Sequence, residues 1–143
     1  RPPVKIIPPG TLEKSMASNG CNISGSVINS VLSPGVIVEK GAVVRNSVIM
    51  NDTIIRAGAV VSSCVLDKRI EVGPGAQLGY GTDDTPNKLE PENINTGITI
   101  VGKSAVIPAK AVIGRNCRID PDTRPSDYAS LEVPSGESVL KVT

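Results

Sequence analysis

Aliphatic residues recur every six positions along much of this chain. In residues 101–120, VGKSAVIPAKAVIGRNCRID, the repeated positions are Val101, Ile107, Ile113 and Ile119, and small side chains follow four residues later at Ala105, Ala111, Cys117 and Thr123. A helix repeats every 3.6 residues and an isolated strand every 2. A period of six instead predicts short strands joined by tight turns, three of which close one coil of about 18 residues in a parallel β-helix.

A second block with this spacing lies in residues 31–78. The predicted inward positions are Val31, Ile37, Val43, Ile49, Ile55 and Val61, with small or corner partners at Gly35, Gly41, Ser47, Thr53, Ala59 and Val65. The register slips by one residue at 67–69 and resumes at Val72 and Leu78, with Ala76 as the small partner. A β-sandwich would instead show strict alternation and irregular strand spacing. The pattern therefore favours the β-helix.

The remaining segments divide the chain. Residues 1–20 begin RPPVKIIPPG and predict a proline-rich extended linker that arrives from a missing N-terminal domain. The β-helix domain is then residues 21–143, with coils at 21–78 and 98–123. Residues 79–97 predict a loop inserted between coils, and residues 124–143 predict a C-terminal cap, with a hairpin around 134–136.

Composition agrees with a narrow aliphatic core. The chain has 143 residues, no Phe, no Trp and two Tyr, so its core has to be filled by Val, Ile and Ala. Fifteen basic residues stand against 14 acidic ones, which gives no electrostatic indication of nucleic-acid or membrane binding. No apolar run approaches a membrane span. The three cysteines are widely spaced, which predicts reduced thiols and a cytoplasmic protein.

Candidate chemistry is sparse. The chain has no His, the usual general base and metal ligand, so we predict no catalytic, cofactor-binding or metal-binding residue in this segment. GPGAQLG at 73–79 is interpreted as corner glycines, and the acids Asp83, Asp84, Glu90 and Glu92 as a solvated loop. Aligned coils could gather some corner cations into an anion site; the candidates are Lys40, Arg45, Arg56, Lys68, Arg69, Lys103, Lys110, Arg115 and Arg118.

The N-terminal coils are predicted to expose more apolar surface than the last ones. The residues assigned outward there are Val36, Val38, Val44, Val48 and Met50, whereas the last coils have Gly102, Pro108, Gly114, Arg118 and Asp120. Such a surface favours docking against a domain or another subunit. Two alternatives stay open: valine also suits any strand, and residues 1–20 could cover the surface.

Several stretches resemble one enzyme family. RPPVKI, SNGCNISGSVINSVLSPGVIVEKGAVVRNSVIM and IPAKAVIGRNCRI are similar to the C-terminal portion of bacterial glucose-1-phosphate adenylyltransferase, with Gly20 to Leu32 the most specific part. TDDTPNKLEPENINTGITIVGK resembles an insertion between coils found in one branch of that family. The resemblance covers nearly the whole chain and implies a left-handed β-helix.

The same resemblance implies a role without catalysis. In that family an N-terminal domain with a GGxGTRL signature, ATP and Mg²⁺ converts glucose 1-phosphate to ADP-glucose and pyrophosphate for glycogen synthesis, and the present chain lacks that signature. The implied partners are its own catalytic domain, further copies in a homotetramer and an anionic metabolite effector. Whether the parent is a catalytic or a regulatory subunit is open.

Two alternative functions are compatible with hexapeptide repeats. A hexapeptide-repeat acyltransferase would bind acetyl-CoA between coils, but such enzymes commonly use a His base. γ-Type carbonic anhydrases need His ligands for zinc, which this chain also lacks. The second alternative is the C-terminal domain of another sugar-nucleotide pyrophosphorylase, since substrate identity would be decided upstream.

Overall fold

Short parallel strands build the whole molecule. The computed structural model describes residues 1–142, in which twenty strands of two or three residues form three parallel sheets. Sheet A contains β1 Lys5–Ile6, β4 Asn22–Ile23, β7 Ile37–Val38, β10 Ile54–Ile55, β13 Glu71–Val72 and β16 Val106–Ile107. Sheet B contains β2 Thr11–Glu13, β5 Ser26–Ile28, β8 Val43–Arg45, β11 Val60–Ser62, β14 Gln77–Leu78, β17 Val112–Ile113 and β19 Glu132–Val133. Sheet C contains β3 Met16–Ala17, β6 Val31–Leu32, β9 Val48–Ile49, β12 Cys64–Leu66, β15 Thr99–Val101, β18 Arg118–Ile119 and β20 Ser138–Val139.

Successive strands visit sheets A, B and C in turn, so three consecutive strands make one coil. We number the coils from the N-terminus: coil 1 holds β1–β3, coil 2 holds β4–β6, and so on to coil 7, which holds β19 and β20. Each strand pairs in parallel with its counterpart in the next coil. The predicted all-β parallel β-helix is confirmed, and its left hand stays a prediction.

The core is a column of stacked aliphatic side chains. In the last block the predicted inward residues are fully buried, including Val101, Ile107, Ile113 and Ile119. Their small partners Ala105, Ala111, Cys117 and Thr123 are also fully buried. Ile49, Ile55, Val61, Val72 and Leu78 are buried as predicted.

The predicted register of the block that begins at residue 31 is wrong at its start. Val31 is exposed and Ile37 and Val43 are only half-buried, whereas the next residue in each strand, Leu32, Val38 and Val44, is fully buried. The reason is a spacing of five rather than six between the strands of sheets B and C, as from Val44 to Ile49. This shortening recurs in successive coils and is not a single slip at 67–69.

The correction also changes the predicted outer surface. Val36, Val38 and Val44 were assigned outward but have no exposed surface and belong to the core. Val48 faces outward as predicted, with Met50 half-buried beside it. An apolar outer surface is nevertheless present on the N-terminal coils, built from Val48 together with residues that were not assigned to it.

Residues 1–20, for which the sequence predicts a linker, contain strands. The segment is extended as expected, but β1, β2 and β3 pair with the three strands of coil 2. Val4, Leu12 and Ala17 pack against the core. The segment is therefore the first coil of the β-helix.

Residues with positive φ form the corners. At the corner from sheet A to sheet B these include Gly41, Gly58 and Gly75, so the GPGAQLG motif supplies corner glycines as predicted. The corner from sheet B to sheet C, termed here the B–C corner, has a residue with positive φ in coils 1 to 4 and in coil 6, and the inserted loop leaves from it in coil 5; these residues are Lys14, Asn29, Asn46, Ser63 and Asn116. Asparagine tolerates this conformation better than most residues.

The C-terminal end is covered by the tail. The predicted hairpin around 134–136 is wrong, because β19 and β20 pair with β17 and β18 rather than with each other. A 3-10 helix at Pro125–Asp127 and the half-buried Tyr128 precede them. Desolvation raises the pKa of Tyr128, whose hydroxyl is buried and has no hydrogen-bond partner among the described residues. The segment 124–143, for which the sequence predicts a cap, thus contributes a further coil, β19 and β20, and its role as a cap stays a prediction.

Candidate functional site

The outer face of sheet C carries an unbroken ladder of apolar side chains. Successive residues of a strand point to opposite sides of the sheet, so the residue next to each inward-facing one in the same strand faces solvent. The parallel register stacks five such residues over coils 1 to 5, namely Met16, Val31, Val48, Val65 and Ile100. Met16 is 72% exposed, and Val31, Val48 and Ile100 are 46%, 40% and 39% exposed. We name these five residues the sheet C ladder.

The other two outer faces are more polar. The corresponding positions of sheet A include Lys5, Asn22 and Glu71, and those of sheet B include Thr11, Ser26, Gln77 and Glu132. Valine suits any strand. However, only on sheet C do five successive coils present an apolar residue at this position, so the ladder is a candidate interaction surface.

A groove runs beside the ladder on coils 1 to 3. It has a volume of about 580 Å³ and is lined by Lys14, Ser15, Met16, Asn29, Ser30, Val31, Asn46, Ser47 and Val48. The B–C corner forms one wall, where the Asn29 side-chain amide donates to Oδ1 of Asn46 at 2.8 Å. The floor is apolar and the wall is polar.

The inserted loop covers the same face at its other end. Asn87 is completely buried and anchors it: its Nδ2 donates to the carbonyl oxygen of Asn116 at 3.0 Å and to Oγ of Ser138 at 3.1 Å, with a longer contact of 3.4 Å to the carbonyl of Glu137. Its Oδ1 accepts the backbone N–H groups of Leu89 and Glu90 at 3.0 and 3.1 Å. The loop therefore lies over sheet C on coils 6 and 7.

Ion pairs hold the loop further. Asp84 pairs with Arg115 at 3.0 Å, and Glu90 pairs with Arg118 at 3.0 Å. Arg118 also bonds Asp120 at 3.0 Å, and these two acids raise the pKa of the guanidinium, Asp120 having the larger effect. The predicted solvated loop is thus only partly right, since Asp83 and Glu92 are exposed while Asp84 and Glu90 bind arginines.

The predicted cations are spread over separate corners. Arg56 lies between Glu39 and Glu71, at 3.0 and 2.9 Å, and Arg115 and Arg118 bind loop acids. Lys40 and Lys110 lie at the corner from sheet A to sheet B, and Arg45 bonds Ser62 on sheet B. Lys68, Arg69 and Lys103 share the corner from sheet C to sheet A on adjacent coils, where the N–H of Ser104 donates to the Lys68 carbonyl at 2.8 Å. An anion site stays a prediction. The corner from sheet C to sheet A is the place where basic residues of adjacent coils lie next to each other.

The cysteines are held away from solvent. All three are buried and unpaired. Burial raises the pKa of the Cys64 thiol to about 12 and also raises that of Cys117. A thiolate, rather than a thiol, is the nucleophile and metal ligand, so these residues act as small core side chains. Among residues 1–142, no group of three or more Cys, Asp or Glu side chains is placed to hold a metal ion.

No helix in residues 1–142 has the length and hydrophobicity needed to cross a membrane. The coils, the six-residue spacing and the inserted loop instead define a hexapeptide-repeat β-helix protein. More narrowly, the chain belongs to the GlmU-like C-terminal hexapeptide family, whose model matches residues 2–101.

Curated relatives extend the match. The chain is 52% identical to a glucose-1-phosphate adenylyltransferase of Thermomicrobium roseum, covering 97% of this chain and 33% of that protein. Glucose-1-phosphate adenylyltransferases of Acetivibrio thermocellus and Thermotoga maritima are 40% and 41% identical over 99% and 97% of this chain. The chain spans about a third of the length of these relatives and is homologous to their C-terminal region, which confirms the resemblance.

The chain also aligns at low similarity with a solved structure. The acetyltransferase domain of PglB from Neisseria gonorrhoeae FA1090, in complex with acetyl coenzyme A, superposes with a TM-score of 0.42 at 20% identity, covering 95% of this chain and 53% of that one.

Proposed function

We propose that this chain is the non-catalytic oligomerisation and regulatory domain of a glucose-1-phosphate adenylyltransferase. The observation that carries the proposal is the similarity of 97% of the chain to the C-terminal third of a relative at 52% identity. The parent would convert ATP and glucose 1-phosphate to ADP-glucose and pyrophosphate. ATP and Mg²⁺ would bind in its catalytic domain, outside these residues.

The environment of the remaining reactive groups supports a role without catalysis. The thiols are buried, and burial raises the pKa of two of them. The loop acids Asp84 and Glu90 neutralise arginines, and the chain contains no His. General acid–base catalysis needs a group that can reach a substrate and titrate near the working pH.

Self-association is supported by the sheet C ladder. An exposed, continuous apolar surface on a rigid sheet suits burial against a second subunit. Monomeric proteins usually scatter their exposed apolar residues, whereas these five lie in register on adjacent coils.

For regulation we propose an anionic metabolite at the corner formed by Lys68, Arg69 and Lys103. The basic side chains of Lys68 and Lys103 occupy equivalent places on adjacent coils, about 4.8 Å apart along the axis. A phosphate group could contact two such cations at once. Calorimetric titration with a sugar phosphate should show binding that Lys103→Ala weakens and Lys40→Ala leaves unchanged.

The proposal is tested on the purified chain with two measurements. ADP-glucose formation from ATP, glucose 1-phosphate and Mg²⁺ should be absent, and light scattering at increasing concentration should show mass above that of a monomer. ADP-glucose formation by the chain would disprove the non-catalytic role. A monomer at every concentration would disprove self-assembly.

A further inference from the structure

The sheet C face has a recess at one end and a raised loop at the other, so its shape is complementary to that of a second copy turned end over end. The groove occupies coils 1 to 3, and the inserted loop rises over coils 6 and 7 at the same B–C corner. Val65 lies midway between them, on coil 4. A two-fold axis that runs along the strands through Val65 exchanges coil 1 with coil 7 and coil 2 with coil 6. The same rotation places the B–C corner of one copy over the B–C corner of the other.

From this symmetry we propose that two copies of the chain pair through sheet C, antiparallel along the β-helix axis, with the inserted loop of each copy seated in the groove of the other. The inference rests on the proposed self-assembly and specifies its geometry. In this arrangement Val65 meets its own counterpart, and Val48 meets Ile100 of the second copy.

The loop offers side chains that suit the groove. Leu89 is 57% exposed at the loop surface and would insert above Met16 and Val31 of the second copy. Removal of such a side chain from water is favourable. The apolar floor of the groove would thereby be covered by an apolar side chain.

Charge is complementary in the same arrangement. Lys14 is exposed on the groove wall, and Glu92 is exposed on the loop. Neither residue forms an ion pair within the part of the chain that the structure describes. Pairing of the two copies brings Lys14 of each towards Glu92 of the other, twice across the interface. A parallel arrangement would instead put both loops at the same end of the interface and leave both grooves without a loop.

The available area indicates a small interface. Seven coils at about 4.8 Å make sheet C about 29 Å long, and a strand with its corner residues is about 13 Å wide. The projected area is therefore about 400 Å² on each copy, and side-chain relief increases it. The sum of both copies is close to about 1,000 Å², at the lower limit for specific association. We therefore expect a dimer that dissociates on dilution.

Disulfide trapping with introduced cysteines tests the geometry. Val65→Cys alone should give a cross-linked dimer, because the axis passes beside it. Val31→Cys and Leu89→Cys should each stay monomeric in non-reducing gels, and their combination in one chain should cross-link. Val60→Cys, in the same coil on sheet B, is the matched control and should not cross-link. The native thiols are buried and should not compete.

Equilibrium sedimentation tests the contacts without cross-linking. Val48→Lys should raise the dissociation constant at least tenfold, and Val60→Lys should leave it unchanged. Lys14→Glu and Glu92→Lys should each raise it by about threefold to tenfold, and the double exchange should restore it.

The outcomes separate this inference from the proposed function. Cross-linking by Leu89→Cys alone would show that the two loops meet each other rather than the grooves, and would overturn the proposal. An oligomer that is indifferent to Val48→Lys would refute the sheet C interface while leaving self-assembly intact. A chain that stays monomeric at every concentration would disprove both.

Discussion

Replacement of Asn87 by alanine should release the inserted loop while leaving the coils folded. The Asn87 side chain makes four hydrogen bonds of 3.1 Å or shorter, and all its partners are in the loop or in coils 6 and 7. At about 1 kcal/mol net for each bond, their loss removes about 4 kcal/mol from the folded, docked loop, half of it from the two bonds to Asn116 and Ser138 that cross to the coils and half from the two bonds within the loop. The loop should then open as a local unit, because the aliphatic core does not depend on it.

Hydrogen exchange followed by mass spectrometry measures this opening directly. A free energy of about 1.4 kcal/mol is a factor of ten in an equilibrium constant. The protection factors of amides in residues 84–97 should therefore fall by roughly two to three powers of ten. Amides of residues 105–113, in coil 6, should keep their protection. The far-ultraviolet circular dichroism spectrum should also be unchanged.

Two variants control the experiment. Asn93→Ala removes an exposed asparagine from the same loop and should leave exchange at the wild-type rate. Asn87→Asp keeps the acceptor for the two backbone N–H groups but turns a carboxylate towards the carbonyl of Asn116, so it should release the loop as well. Wild-type protection in Asn87→Ala, or an equal loss in Asn93→Ala, would refute the role assigned to this side chain.

Three further predictions concern the core and the corners. Val44→Asp should abolish cooperative unfolding because it places a charge in the dry core, whereas Val43→Asp, one residue earlier on the outer face, should still melt cooperatively by calorimetry. Gly25→Ala should destabilise more than Gly58→Ala in urea unfolding: a Cβ at Gly25 would overlap carbonyl groups of the next coil, whereas at Gly58 it has space and costs about 1 to 2 kcal/mol through its positive φ. Burial raises the pKa of Cys64 to about 12, so between pH 9 and 12, counted roughly, only the unfolded thiol ionises and the free energy of unfolding should fall as pH rises. Cys64→Ala should flatten this fall. An unaltered slope in that variant would contradict the assignment.

The period of six predicted the fold because it reports the coil directly. Its inward register was right for Val101 to Ile119 and again from Ile49 to Val61, and it was wrong for Val31, Ile37 and Val43, which precede a five-residue step that the period of six does not contain. In Val31-Leu32 and Val43-Val44 both members suit a strand, so hydrophobicity alone does not tell which one faces inward. The five-residue spacing across the B–C corner decides it, and this spacing has only a weak sequence signal in Asn29 and Asn46.

The candidate surface was predicted in kind but not in its residues. An apolar outer face on the N-terminal coils was expected, yet three of its five assigned members lie in the core. The docking of the loop had no signal at all, because the partners of Asn87 lie 29 and 51 residues away along the chain. Within PNKLEPENIN this asparagine resembles its exposed neighbours, and only the folded coils distinguish it.

The loop also sets the order in which the coils of the β-helix unfold under force. Coils 1 to 4 touch mainly their immediate neighbours, so each can peel away once the one before it has gone. Asn87 and the ion pairs of the loop fasten coils 6 and 7 together. When the molecule is pulled from both termini, its coils should therefore unfold one at a time, starting from residue 1. The last coils should then unfold together in a single larger step, when the loop detaches from them.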